Sequence, residues 1–213
     1  MKRILIADPH PITRAGIRSQ LLETNPKCKI VGLVSNGDEL VSKVLSKKPN
    51  LLITELNMDG MHGFLRLKEV AQKLPEMQII VFSSFPAALY EKQCLDSGAI
   101  SYLSKNISTR TFQMTVQKVI DGRYNGNNKK LKKDTLYKPK KPLSSREVEV
   151  LQLLIKGYRN KDIASSLELN EKTVSTYKSR LLKKLKVNSL ADLIKFYKSA
   201  SPPSNHASQF FGT

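Results

Sequence analysis

Between positions 172 and 183 the chain sets short hydroxyls among cations: Lys172, Thr173, Ser175, Thr176, Lys178, Ser179, Arg180 and Lys183. Projected on a helix at about 100° per residue, Lys172, Ser175, Thr176, Ser179 and Lys183 gather in one sector, flanked by Arg180 and Lys186, while Val174, Tyr177, Leu181 and Leu185 fall opposite. The apolar sector must pack inward. The polar sector has what a duplex demands, short donors and acceptors for base edges near the helix start and cations to neutralise phosphates. A solvated face on a helical bundle would carry the same residue types, so the surroundings of the helix decide between the two.

A second set could do different chemistry. Asp8, Glu55, Ser83 and Lys105 each stand at or just past the end of a short apolar run. Two carboxylates, a hydroxyl and an ammonium brought to one place could hold a phosphoryl group or a divalent ion, or close on one another as a buried ion cluster.

The elements that must position the first set lie in residues 143–200. Ser144 followed by Glu147 has capping-box spacing ahead of Val148, Leu151, Leu154 and Ile155, and Gly157 ends that helix. A second short helix is predicted from Asn160 to Leu167, with Ile163, Ala164 and Leu167 on one face. A turn through Glu168 and Leu169 brings Asn170 to the N-cap of a third helix, about Glu171 to Lys186, and a fourth follows from Leu190. A capped helix pair feeding a basic, hydroxyl-bearing helix is helix-turn-helix logic.

These residues carry a family resemblance. LSSRE, EVLQLLIKGYRNKDIASSL and KTVSTYKSRLLKKL resemble the opening, first two helices and recognition helix of the LuxR-type (NarL/FixJ) helix-turn-helix domain. The resemblance implies that Ser175, Thr176 and Ser179 read bases. It also implies a homodimer formed through the final helix, where Leu193, Ile194, Phe196 and Tyr197 supply apolar area. Tyr177 stands where the family commonly has His; it lies on the inward side and is expected to pack.

The second set needs a sheet. Strands are predicted at Ile4–Ala7, Ile30–Val34, Leu51–Glu55, Ile79–Ser83 and Ala99–Leu103, alternating with helical patterns around Ile12–Leu22, Glu39–Leu45, Phe64–Leu74, Leu89–Ser97 and Phe112–Ile120. Five alternating units imply a five-stranded, doubly wound parallel sheet of the flavodoxin-like kind, whose ligands bind beyond the carboxyl ends of the strands. The expected architecture is therefore α/β plus all-α: a receiver-like unit over 1–121, a basic linker over 122–142, a four-helix DNA-binding domain over 143–200 and a disordered tail over 201–213.

ILIADPHPITRAGI, LLITELNMDGMHGF, IIVFSS and GAISYLSK resemble the receiver domain of two-component response regulators across nearly all of the first unit. Tyr102 stands where that family has its switch aromatic. Three positions depart from the pattern. Glu55 occupies the place of the phosphate-accepting Asp, Pro9 that of a metal-ligating acid, and Asp59 that of a Pro after Met58.

Aspartyl phosphorylation needs a carboxylate placed for in-line attack and a Mg²⁺ held by carboxylates. Proline supplies no ligand, and Glu carries its carboxylate one methylene further out, so normal phosphotransfer is not expected. One alternative makes Glu55 a fixed negative charge, paired with Lys105 and accepting from Ser83, that holds the receiver in an active-like arrangement reported by the rotamer of Tyr102. Another makes the pair a relic in a receiver used for dimerisation. A conventional phospho-switch with unusual ligands, and a receiver that serves as a protein-interaction module, stand beside them.

Composition agrees with a polyanion partner. The 213 residues carry a formal charge of +18, and the weight is uneven, with 16 basic against 11 acidic residues up to Gly122 and 20 against 7 after it. The stretch 123–142 holds eight basic residues and one acid, either solvated or tracking the phosphate backbone. Phe210 and Phe211 form a candidate docking pair in the tail. No apolar run approaches a spanning helix, and MKRILIADPH lacks a signal peptide's apolar core, so a cytoplasmic location is expected. Cys28 and Cys94 have no metal or redox spacing and are expected to be reduced, structural thiols. His10, His62 and His206 read as loop or tail residues. No phosphate-binding loop, dinucleotide fingerprint or metal-ligand cluster is present, so no enzyme, metal or cofactor is expected; the expected partners are double-stranded DNA, a second copy of the chain and the transcription machinery.

Overall fold

The computed structural model describes residues 1–61, 63–124 and 143–200, side chains of 196–200 excepted. His62, most of the basic linker, the tail with Phe210 and Phe211, and the side chains of Phe196 and Tyr197 lie outside the described residues. The chain forms two compact units.

The first unit alternates strand and helix: β1 (Lys2–Ala7), α1 (Pro11–Thr24), β2 (Cys28–Val34), α2 (Leu40–Lys47), β3 (Leu51–Thr54), α3 (Phe64–Lys73), β4 (Gln78–Ser83), α4 (Ala87–Asp96), β5 (Ser101–Ser104) and α5 (Thr109–Ile120). The strands run parallel in the order β2-β1-β3-β4-β5. Because side chains alternate along a strand, Ile4, Ile6, Leu51, Ile53, Ile80 and Phe82 face one way, onto Ile17 and Leu21 of α1 and Phe112, Val116 and Val119 of α5. Leu5, Leu52, Ile79 and Val81 face the other way and are equally buried, so both faces are covered and the strands read as continuous apolar runs. The Phe82 and Phe112 rings meet at 4.9 Å.

Of the boundaries that differ from expectation, two have a clear local cause. β5 begins at Ser101 rather than Ala99, because Gly98 at φ +101° turns the chain and the Ala99 N–H still bonds back to the Cys94 carbonyl at 3.0 Å. α5 begins at Thr109 rather than Phe112, because Ser108 caps it by accepting from the Thr111 N–H at 3.2 Å.

The second unit contains α6 (Ser145–Ile155), α7 (Asn160–Ser166), α8 (Glu171–Leu185) and α9 (Leu190–Ala200). Ser144 and Glu147 form the predicted capping box, and Gly157 at φ +87° takes the left-handed conformation that ends α6. Asn170 caps α8 by accepting from the Thr173 N–H at 2.8 Å. Val148, Leu151, Leu154, Ile163, Ala164, Val174, Leu181, Leu185 and Leu193 form the buried interior. Lys184 reaches from α8 to Glu147 at 2.6 Å. Burial of Glu147 works against its charge, but the Lys184 ammonium and the Ser144 donors hold its carboxyl below the ordinary carboxylate range.

Among the described residues, no helix is long and apolar enough to cross a membrane. Cys28 and Cys94 are buried thiols.

Candidate functional site

The sheet places the polar set without help from the side chains. The Asp8 N–H donates to Val34 O at 3.0 Å, the Glu55 N–H to Ala7 O at 2.8 Å and the Lys105 N–H to Ser83 O at 2.9 Å. Ladder-like bonds thus continue one residue past β1, β3 and β5, and all four expected residues converge at the carboxyl edge of the sheet. They are nearly dry, with Asp8 and Glu55 each 1% exposed, Ser83 0% and Lys105 7%.

Lys105 bridges the two acids, its Nζ 2.5 Å from Asp8 Oδ2 and 2.8 Å from Glu55 Oε2. Glu55 Oε1 accepts from the Ser83 hydroxyl and from the N–H groups of Leu56 at 2.7 Å and Asn57 at 3.1 Å. Its Oε2 also accepts from Ser84, from the N–H at 3.2 Å and the hydroxyl at 3.3 Å. Asp8 Oδ1 takes the His10 N–H at 2.8 Å and contacts the His10 ring at 3.1 Å. Arg14 ties down the same loop through the carbonyls of Asp8 and Pro9, at 2.6 and 3.1 Å.

Burial disfavours a charge on Glu55, yet the Lys105 charge, the bonds from Lys105 and Ser83 and the Asn57 N–H outweigh it and lower its pKa. Lys105 is likewise desolvated, and the charges of Glu55 and Asp8 win and raise its pKa. Glu55 and Lys105 therefore meet as a charged pair near neutral pH, with the Asp8 side chain on the other side of the ammonium.

A divalent ion does not fit this donor set. The ammonium lies between the two carboxylates, where a cation would have to sit, Pro9 provides no ligand, and no group of three or more His, Cys, Asp or Glu side chains placed to hold a metal occurs among the described residues.

The Tyr102 side chain is inward. Tyr102 is 6% exposed and its hydroxyl donates to the Phe85 carbonyl at 2.7 Å.

On the second unit, α8 places its residues as projected. Lys172, Ser175, Thr176, Ser179, Arg180 and Lys183 are exposed, Thr173, Tyr177 and Lys178 are half-buried, and Val174, Leu181 and Leu185 are buried. The Thr173 hydroxyl is turned back to the Asn170 cap at 3.0 Å. Leu193, expected at a dimer contact, is instead fully buried in its own unit, because α9 must close the interior against α6 and α8.

Ser84, His10 and Asn160 belong to these sites without having been assigned to them from the sequence. Ser84 was signalled only by a second hydroxyl after the strand end, and His10 only by standing two residues past Asp8. Asn160, whose Nδ2 donates to Ser175 Oγ at 3.1 Å, gave no local signal at all.

Known proteins agree with this geometry. The receiver-domain model of response regulators matches residues 4–117, and the model of the bacterial regulatory proteins of the luxR family matches residues 141–197. The response regulator protein VraR of Staphylococcus epidermidis is 33% identical over 193 residues, covering 87% of this chain and 90% of its own length. The oxygen regulatory protein NreC of the same species is 30% identical over 209 residues, covering 91% and 95%. Among solved structures, RcsB of Salmonella typhimurium has a TM-score of 0.75 at 26% identity over 94% of this chain and 98% of its own. Another RcsB structure, bound to promoter P1flhDC in the presence of the phosphomimetic BeF3-, has a TM-score of 0.70 at 26% identity over 93% and 98%. The polar cluster lies within the first matched region and the hydroxyl-bearing helix within the second: the chain belongs to the LuxR family of DNA-binding response regulators.

Proposed function

We propose that the protein is a sequence-specific transcription regulator whose receiver works without aspartyl phosphorylation, with Glu55 supplying a permanent charge where its relatives' pattern has a phosphoacceptor. The carrying observation is the saturation of Glu55. A carboxylate offers about four lone-pair sites, and this one already faces Lys105, Ser83, two donors from Ser84 and the N–H groups of Leu56 and Asn57. No lone pair is left for in-line attack on a phosphoryl donor, and Lys105 takes the place of the ion that such a transfer needs.

The arrangement supports an active-like receiver over a mere relic. Ser83 donates to Glu55 and Tyr102 lies inward, the two positions that a charge at this place would favour. On this reading residues 1–121 are a pseudo-receiver and 143–200 the DNA-binding domain, joined by the basic stretch 122–142. The site residues are Asp8, Glu55, Ser83 and Lys105 in the receiver, with Tyr102 as reporter. On α8 they are Ser175, Thr176 and Ser179 for bases and Lys172, Thr173, Lys178, Arg180 and Lys183 for phosphates. The protein acts in the cytoplasm as a homodimer on double-stranded DNA and engages the transcription machinery there. RcsB on promoter DNA supports the DNA-binding part.

Incubation with acetyl phosphate and Mg²⁺ followed by intact mass measurement tests the receiver reading, and no adduct is expected. A stoichiometric phosphoryl adduct on the wild type, absent from Glu55→Ala, overturns it.

A further inference from the structure

The three outward hydroxyls of α8 are not chemically equivalent. The Thr176 hydroxyl donates to the Lys172 carbonyl and the Ser179 hydroxyl to the Ser175 carbonyl, each at 3.0 Å. A carbonyl only accepts, so both hydroxyl protons point into the helix and each oxygen turns lone pairs outward. Ser175 makes no such bond. Its oxygen lies 3.1 Å from Nδ2 of Asn160, the first residue of the neighbouring helix α7. An amide nitrogen only donates, so this bond occupies a Ser175 lone pair and leaves the hydroxyl proton available.

We infer that Asn160 is a specificity-determining positioning residue that acts through Ser175, setting that hydroxyl as a donor beside two acceptor hydroxyls at Thr176 and Ser179. The inference rests on the reading that this face of α8 enters the major groove. There a donor matches guanine N7 or O6, adenine N7 or thymine O4, whereas acceptors match the exocyclic amines of cytosine and adenine. Asn160 is half-buried on the adjoining helix, so its amide reaches the readout face without belonging to the recognition helix. The pair also fixes the χ1 rotamer of a Ser that would otherwise turn inward like its two neighbours.

The charge state of the partner atom makes this testable. In Asn160→Asp the carboxylate can only accept, so the Ser175 proton turns toward it and the outward hydroxyl becomes an acceptor. In Asn160→Ala neither orientation is imposed. Sequences are selected from a random duplex pool with the full chain as wild type, Asn160→Asp, Asn160→Ala and Ser175→Ala, and each variant's urea midpoint is measured alongside.

Ser175→Ala is expected to relax preference at one base position. Asn160→Asp should shift preference at that same position toward a base presenting an exocyclic amine, by about two- to tenfold, the worth of one hydrogen bond. Asn160→Ala should flatten the position without inverting it, and all other positions should keep their ranking. If Asn160→Asp keeps the wild-type preference there, Ser175 donates to the Asn160 side chain and the assignment of donor and acceptor is reversed. If all positions loosen together in Asn160→Ala with a fall in urea midpoint, Asn160 merely braces the two helices, and the inference fails. If the wild type selects no sequence, or Ser175→Ala changes no position, the groove reading itself fails and takes this inference with it.

Discussion

Glu55 and Tyr102 are joined by an unbroken run of hydrogen bonds. The Ser83 hydroxyl donates to Glu55 Oε1, the Phe85 N–H donates to Ser83 Oγ at 3.2 Å, and the Tyr102 hydroxyl donates to the Phe85 carbonyl at 2.7 Å. The charge at the end of β3 and the aromatic on β5 are thus linked through Ser83 at the end of β4 and the Phe85 backbone. Ser83→Ala should destabilise the protein by about 1–3 kcal/mol, the worth of a buried hydrogen bond to a charged group. Urea denaturation measures the loss, and NMR of the Tyr102 ring should show it freed from its single inward environment. An unmoved Tyr102 resonance would show that the run of bonds transmits nothing.

The ion cluster has a pH signature of definite sign. Glu55 is held below its ordinary pKa, so its stabilisation is fully present above about pH 4.3, the unfolded value, and is lost as pH falls through the lower folded pKa. Lys105 is shifted upward, so its contribution is complete below about pH 10.4 and declines only as pH rises past the raised folded value. Denaturant midpoints of wild type and Glu55→Gln taken from pH 6 down to pH 2.5 should converge, because only the wild type has this carboxylate to protonate. Parallel curves over that range would contradict the assigned ion cluster.

Restoring the family's acids should restore its chemistry. In Pro9→Asp with Glu55→Asp, two shortened or added carboxylates join Asp8 around one ion site, and the shorter side chain at 55 retreats from Ser83 and Ser84. Acetyl phosphate and Mg²⁺ should then give one phosphoryl adduct by intact mass, where none is expected of the wild type. Failure of the double variant to accept phosphate would mean that the pocket differs in more than these two residues.

Lys172 and Lys183 lie exposed at opposite ends of the polar sector of α8. Each Lys→Ala change should weaken binding to every duplex alike and reduce the slope of log affinity against log salt by about one. Fluorescence anisotropy with a selected and a scrambled duplex separates this from readout. A loss confined to the selected duplex would transfer those lysines from phosphate contact to base recognition.

Much of the architecture was legible in residue order because its causes are local. Five apolar runs spaced by amphipathic stretches announced β1 to β5, Ser144 with Glu147 announced the start of α6, and Asn170 announced α8; each signal acts over a few residues. The polar set was legible for the same reason, since a parallel sheet brings its strand ends to one edge whatever the side chains are. Other relationships depended on segments far apart in the chain. Lys105 bridges Asp8 and Glu55 because the strand order sets β1 between β2 and β3 and carries β5 to the far side of β4, with all carboxyl ends level. Leu193 looked like a dimer contact because its periodicity cannot say whether an apolar stripe faces its own interior or a partner; α9 folding back onto α6 and α8 assigned it to the interior. Asn160 meets Ser175 across fifteen residues only because α7 packs on α8, so the partner of the Ser175 hydroxyl is a property of two helices together, which no pattern in either one encodes.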